Sequence, residues 1–351
     1  MRFDFTSEQL EFRDAVRELF ARECPPARVR AAWDRPADAP LTVWPHLAKM
    51  GVVGMTAPER WGGLGLGPLD LVLVLEESGR AALPEPLLET TAVGIPLLDE
   101  VAADGFKDRW LGAAAAGRAV VTVGLGGAFV VDAARAHLLL LARGDELHAV
   151  EREQVRLVAE PSVDGSRKLA RVDWHPSAAT LLSSGPRTKA AVAAAFDRGA
   201  VAAAAQLVGV ARQLIDATVA YVKVRTQFGR PIGSFQAVKH RLADALVAVE
   251  LARPCVYRGA YALAHGEPDR EVHASTAKAY ASQAALTAAR AALQCHGAIG
   301  YSYEYDLHLW MKRAWALAAA WGDAAWHRAR IATAVLDGDD AAPGKPGDPH
   351  G

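Results

Sequence analysis

Apolar residues in the first third of the chain recur at helical spacing. Thr6-Ser7-Glu8-Gln9 has the form of a capping box, in which Thr6 accepts from a first-turn amide and Gln9 reaches back. Phe12, Val16, Leu19 and Phe20 then fall on one face, and Pro25-Pro26 ends the helix. Further helical patterns run over residues 41–50, 68–79 and 86–98, with the glycines of "APERWGGLGLGP" (57–68) making a tight surface loop among them. The spacing predicts a helical domain over residues 1–117. After Gly117 the pattern shortens. "AVVTVGL", "AFVVDA", "AHLLLLARGDELHAVER" and "RKLARVDW" are apolar or alternating runs separated by turn-forming residues. Gly144 in "ARGDELHAV" predicts a hairpin. Residues 118–185 are expected to form a small, shortened β-domain, with room in 120–174 for five or six strands of ~5–6 residues each. From residue 188 the helical period returns in four long pieces, 188–223, 234–265, 270–293 and 305–336, broken at 229–233, 266–268 and 297–300. These predict a C-terminal four-helix bundle over 186–337. The remainder, 338–351, is rich in Pro, Gly and Asp and is expected to be a disordered tail. The fold class is therefore mostly α with a small central β-domain, and no internal repeat interrupts it.

Composition changes this picture little. With 51% hydrophobic and 23% charged residues in 351, there is enough apolar material for a large interior. A net charge of −1 gives no basic field for nucleic acid. Cys24, Cys255 and Cys295 are scattered, with neither metal-ligand spacing nor a disulfide framework, so no metal is expected and a reducing cytoplasm is. "MRFDFTSEQLEF" carries acids and no apolar core, unlike a signal peptide. The apolar run at 119–131 falls short of the ~20 residues a bilayer needs, so no membrane span is expected.

The candidate chemistry lies where the first long helical segment of the bundle breaks, at "VRTQFGRPIGSFQAVKHRLADA" (224–245). A guanidinium at Arg225 presents a planar fork that matches a pair of phosphate oxygens. Phe228 offers a face for a heteroaromatic ring, and Gly229 and Gly233 let backbone come close to a ligand. Gln236 opens the next helix, where free amides and the positive end of the dipole favour an anion. Together these suit a dinucleotide lying across a helix break. A plain helix–turn–helix with Arg225 salt-bridged on the surface explains the same residues, and the chemistry alone leaves both readings open.

"RTQFGRPIGSFQAVKHRLADA" resembles the signature of the acyl-CoA dehydrogenase family. "APERWGGLGLGPLDLVLVLEESGRAALPEPLLETTA" is similar to that family's N-terminal glycine-rich loop and following helix, and "LQCHGAIGYSYEYDLHLWMKRAWAL" to its Gln-x-x-Gly-Gly-x-Gly-Tyr segment. The order of helical domain, β-domain and bundle is also that family's. The resemblance implies FAD held between subunits of a tetramer, oxidation of an acyl-CoA to its enoyl-CoA, and an acceptor such as an electron-transfer flavoprotein. By matched positions it implies that Arg225 contacts the FAD pyrophosphate, that Phe228 beside Gly229 packs on the flavin or adenine portion, and that Gln236 lines the adenine end. Gln294 with Gly297 would meet the pyrophosphate of a neighbouring subunit's FAD. Ala298 stands at the family's second glycine, and His296 inside the motif reads as a packed polar residue.

The chain also departs from the family. Desaturation needs a carboxylate base near the thioester. The family usually carries it in a Tyr-Glu-Gly-Thr motif, but Ala320-Trp321-Gly322-Asp323 aligns there, and an indole of Trp321 cannot abstract a proton. Some members place the base in a Glu-Arg pair before the first bundle helix. Asp197-Arg198 stands near that point, as a candidate catalytic base or as a helix-start residue paired with Arg198. The Thr-Glu-Pro-x-x-Gly-Ser-Asp and Trp-Ile-Thr segments that clasp the isoalloxazine are missing, with "VGLGGAFVVDAARA" in place of the first. The pattern resembles the shorter, degenerate subunit of α2β2 actinobacterial acyl-CoA dehydrogenases that act on bulky thioesters such as steroid side chains, where an unlike subunit supplies the base. Two alternatives remain: a self-sufficient homotetramer using Asp197, and a non-catalytic structural subunit. Glu304, Asp306 and Glu250 read as helix-surface acids, and Trp310, Trp315, Trp321 and Trp326 as interface or pocket residues. The "ERWGGLGLG" loop lacks the preceding strand of a phosphate loop.

Overall fold

The computed structural model describes residues 4–127 and 129–336; the tail expected at 338–351 lies outside the described residues. The N-terminal layer is helical: α1 (Ser7–Glu23), α2 (Pro26–Asp34), α3 (Trp44–Lys49), α4 (Pro68–Arg80), a π-helical turn (Leu88–Gly94) continuing into α5 (Ile95–Val101), and α6 (Asp104–Ala115). The capping box forms, with Thr6 accepting from Gln9 N at 3.3 Å and Gln9 accepting from Thr6 N at 2.9 Å. Two of these helices were not anticipated. Pro26 does more than help end α1: it occupies the first position of α2, where a missing N–H is harmless. The short amphipathic α6 had too few apolar positions to stand out.

Among the described residues six strands lie within 120–174, as expected, and a seventh follows: β1 (Val121–Gly124), β2 (Val130–Val131), β3 (Leu138–Arg143), β4 (Glu146–Glu151), β5 (Arg156–Glu160), β6 (Leu169–Asp173) and β7 (Leu181–Ser184). They form one sheet ordered β1-β3-β4-β7 and a second ordered β2-β6-β5. β1 and β3 pair in parallel; β3 and β4 form the expected hairpin, with Arg143 opposite Glu146 and Gly144 at φ +65°. The unbroken run Leu138–Leu141 has a physical reason. Successive side chains of a strand point to opposite faces. Leu138 and Leu140 enter the main core while Leu139 and Leu141 pack against Val130, Val155 and Ala170 of the second sheet side.

The last layer comprises α7 (Pro186–Val224), the ribbon β8 (Thr226–Gln227) and β9 (Arg230–Pro231), α8 (Gln236–Ala264), α9 (Arg270–His296), α10 (Leu307–Ala319) and α11 (Ala324–Leu336). The segment read as one helix over 305–336 is two. Trp321 and Gly322 adopt φ +57° and +82°, which ends the right-handed run, and Asp323 accepts from Trp326 N at 2.8 Å to restart it. Helix α7 is the axis of the molecule. It is long and apolar enough to cross a membrane, but 72% of its apolar window is buried within the protein, as expected of a core helix. It crosses α4 at backbone contact: a Cβ on Gly209 would lie 1.8 Å from the Glu76 carbonyl oxygen, and one on Gly79 2.0 Å from that of Gln206. Alanines 274, 277, 281, 284, 285 and 288 on the buried face of α9 likewise let it sit close.

Candidate functional site

At the end of α7 the predicted break is a two-residue hairpin. Phe228 and Gly229 take φ +52° and +74°, the paired left-handed conformation of a type I′ turn, with Gln227 opposite Arg230. A phenylalanine is a costly residue there, since left-handed backbone at a side chain with Cβ is disfavoured by ~1–2 kcal/mol. The turn holds its ring 90% exposed. The aromatic is thus presented to solvent on a backbone conformation that favours glycine. Phe228 meets Phe235 edge-on at 6.1 Å, and the Arg230 guanidinium lies 4.2 Å over the Phe235 ring. Arg225 caps α7, its own amide donating to Tyr221 O at 2.9 Å and its carbonyl accepting from Ile232 N at 2.8 Å. Its exposed guanidinium meets no carboxylate among the described residues. Gln236 is the first residue of α8, exposed beside the helix's free amides.

The second half of the signature stands at the same end of the bundle. Cys295, one residue past Gln294, packs with Val222 and Leu242 from the two sides of the hairpin. Gln294 and Gly297 are exposed, and Gly297 adopts φ +64°, ψ −143°, a conformation open to glycine alone, with no neighbour near its absent Cβ. His296 is buried. Its Nδ1 meets the Ala292 carbonyl at 2.8 Å, its ring stacks on Tyr221 at 4.2 Å, and burial pushes its pKa down. A neutral packed imidazole fits the polar-core reading rather than a catalytic one.

The other feature is a cavity of about 520 Å³ between the β-sheets and the α10–α11 break. Its walls include Phe129, Phe196, Trp315 and Trp321, flat faces suited to a planar ring. Glu89, from the π-helical turn, and Arg167 enter it together at 3.4 Å, and Arg167 Nη1 is buried with no hydrogen-bond partner. An orphan donor beside aromatic walls suits a heteroaromatic ring with acceptor atoms, so the residues present fit a flavin. Neither Glu89 nor Arg167 was foreseen: each is an unremarkable charge in sequence, and only packing puts them in one cavity.

Trp321, which the resemblance sets at the family's glutamate position, stands at the α10–α11 break. Its ring lies on Gly199 of α7, where an added Cβ would stand 2.3 Å from it, and meets the Phe196 ring at 5.9 Å. Lys278 of α9, fully buried, fixes the turn from beneath, donating to the carbonyls of Ala318 at 3.0 Å and Gly322 at 2.9 Å and to Ser282 Oγ at 3.1 Å. Asp197 is 2% exposed in mid-α7 and lines neither this cavity nor its neighbours. It accepts from Arg330 of α11 at 2.5 Å, and Arg330 also reaches Glu271 at 3.0 Å. Burial alone would lower the Arg330 pKa, yet the hydrogen bond and charge of Asp197 leave it raised. Arg198 turns away to Glu100 at 3.1 Å, so the helix-start pairing expected of it is replaced by these two cross-molecule pairs. Breaking a buried pair by removing one partner costs about 3–5 kcal/mol.

Comparison with known proteins identifies the architecture. The chain matches the family models for the acyl-CoA dehydrogenase N-terminal domain over residues 6–118 and C-terminal domain over 189–336. It is 34% identical over 308 residues to the acyl-CoA dehydrogenase IpdE2 of Mycobacterium tuberculosis, covering 88% of this chain and 91% of that one. A solved variant of the Tcur3481–Tcur3483 steroid ACAD superposes with a TM-score of 0.87 at 26% identity, over 95% and 99% of the two chains. The ChsE4–ChsE5 complex from Mycobacterium tuberculosis shares the fold with a TM-score of 0.87 at 22% identity, over 98% and 100%. The chain belongs to the acyl-CoA dehydrogenase family, whose members carry out FAD-dependent oxidation of the CH–CH unit of an acyl-CoA.

Proposed function

We propose that this chain is one subunit of an FAD-dependent acyl-CoA dehydrogenase that carries out α,β-desaturation of a bulky acyl-CoA, with the base supplied by an unlike partner subunit. The observation that carries the reading is Trp321: an indole, held on Gly199 at the turn where the family's carboxylate aligns. The arginine-paired Asp197 supports it, because a carboxylate buried against a cation lacks access to substrate. The names of two structural neighbours, one a steroid ACAD and one a two-component complex, agree with a heteromeric assembly and a steroid-sized acyl group.

In this reading Arg225, Phe228, Gln236, Gln294 and Gly297 hold the adenosine diphosphate portion of an FAD shared across the subunit boundary, and the Arg167 edge of the larger cavity faces the ring. FAD, when bound, supplies the hydride acceptor. The partner's carboxylate takes the α-proton, an electron-transfer flavoprotein receives the electrons, and the assembly works in the cytoplasm. The test is co-expression with a base-bearing acyl-CoA dehydrogenase and flavin counting per tetramer. A complex holding two flavins is expected, and Arg225→Ala should lower flavin content several-fold without dissociating the subunits. Unchanged flavin content would leave the chain a purely structural subunit. A homotetramer with one flavin per chain that bleaches with an acyl-CoA would instead make it self-sufficient.

A further inference from the structure

A second cavity, of about 430 Å³, lies between α4, α5, α7 and the α8–α9 turn, and shares no lining residue with the flavin-facing one. Helix α7 separates them. Phe196 faces the larger cavity and Arg198 this one, two residues apart and so on nearly opposite sides of a helix with 3.6 residues per turn. The inner wall is aliphatic, formed by Leu71, Val72, Leu75 and Val201. Three charged residues also line it, Glu100, Arg198 and Arg270. Arg198 gives one amino group to Glu100 at 3.1 Å, while its Nε–H is buried with no acceptor. The Arg270 side chain has no hydrogen-bond or ion-pair partner among the described residues. The lining thus carries a net positive charge beside an aliphatic wall, in a chamber within the size range of small-molecule sites.

We propose that this cavity is a second ligand site, for an aliphatic carboxylate whose hydrocarbon lies on the α4 and α7 side chains and whose carboxylate is received by Arg198. The guanidinium of Arg198 offers charged donors to a carboxylate, Arg270 adds a cation unpaired among the described residues, and the net positive charge selects an anion over an alcohol of the same length. The site sits on the far side of α7 from the flavin-facing cavity and needs no cofactor, so it stands or falls independently of the assignment of the base to a partner.

The experiment is calorimetric titration of the full-length chain, in the assembly in which it purifies, with decanoate and with 1-decanol as probes. Decanoate is expected to bind at least tenfold more tightly than 1-decanol. Arg198→Met should bring decanoate down to the level of the alcohol while leaving the alcohol unchanged, and Arg198→Lys should recover part of the difference. Val72→Phe, which fills the chamber, should weaken both probes. Failure of decanoate to bind, equal binding to wild type and Arg198→Met, or undiminished binding to a Val72→Phe protein of unaltered Tm would each overturn the assignment.

Discussion

Gly199 and Trp321 are a matched pair far apart in sequence. The indole fits only because α7 presents hydrogen where it lies, and an alanine there would place its Cβ 2.3 Å from the ring. Gly199→Ala is therefore expected to destabilise by about 1–3 kcal/mol, the usual cost of overpacking. In a Trp321→Gly background that penalty should vanish, since residues in contact are not additive. Urea melts of the two single variants and the double variant measure the coupling, and an equal alanine penalty in both backgrounds would sink the pairing. The resemblance places Trp321 at a motif position where the family carries a carboxylate. Its seat was not legible in the sequence: Gly199 is one small residue in an alanine-rich helix, and no local rule marks it.

At the scale of elements, local backbone chemistry was the more legible part. The capping box, the glycine hairpin of β3 and β4, and the helix break before Gln236 all formed where near neighbours dictate them. The division of α10 from α11 escaped because an apolar period ran through it, while the break is held from outside by Lys278. Burial pushes the Lys278 pKa down to about 7, with Asp323 opposing and Arg167 assisting the shift. In the unfolded chain an ordinary lysine titrates near ~10.4. Between these values the unfolded state holds a proton that the native state lacks, so this residue makes stability rise as pH climbs from about 7 to about 10. Lys278→Met should lower Tm throughout, through the lost carbonyl contacts, and flatten its pH dependence in that window. Thermal melts followed by circular dichroism at intervals of pH give the comparison. A variant whose Tm tracks that of wild type at a constant offset would refute the shift.

For the whole molecule, one side chain joins all three layers. Arg313 of α10 donates to the Leu83 carbonyl at 2.9 Å and that of Ala82 at 3.3 Å, to Ser166 Oγ at 2.8 Å, and to the carboxylate of Asp164. Burial would raise the Asp164 pKa, but the Arg313 charge and the hydrogen bonds from Ser166 and Arg313 hold it below the usual carboxylate value. Arg313→Met leaves that carboxylate buried and unpaired, and is expected to cost about 3–5 kcal/mol in guanidinium unfolding. The doubly apolar Arg313→Met/Asp164→Leu protein should recover much of the loss, because two matched apolar groups remove the desolvation penalty altogether. No recovery in the double variant would show that the carbonyl contacts, not the charge pair, hold the joint.

By itself, the sequence determined the succession of helical, β and helical parts, the hairpin at Gly144, and the helix break around Arg225 and Phe228 that carries the family's signature. Each depends on residues within a turn or two of one another, where periodicity, caps and glycine conformations act. Only the tertiary structure decided that Asp197 is locked by Arg330, that Glu89 and Arg167 share one cavity, and that α7 keeps two cavities apart. Those pairings span roughly eighty to more than a hundred residues. Close packing selects them from many partners that the chain could equally have offered, and no local preference distinguishes the partner chosen.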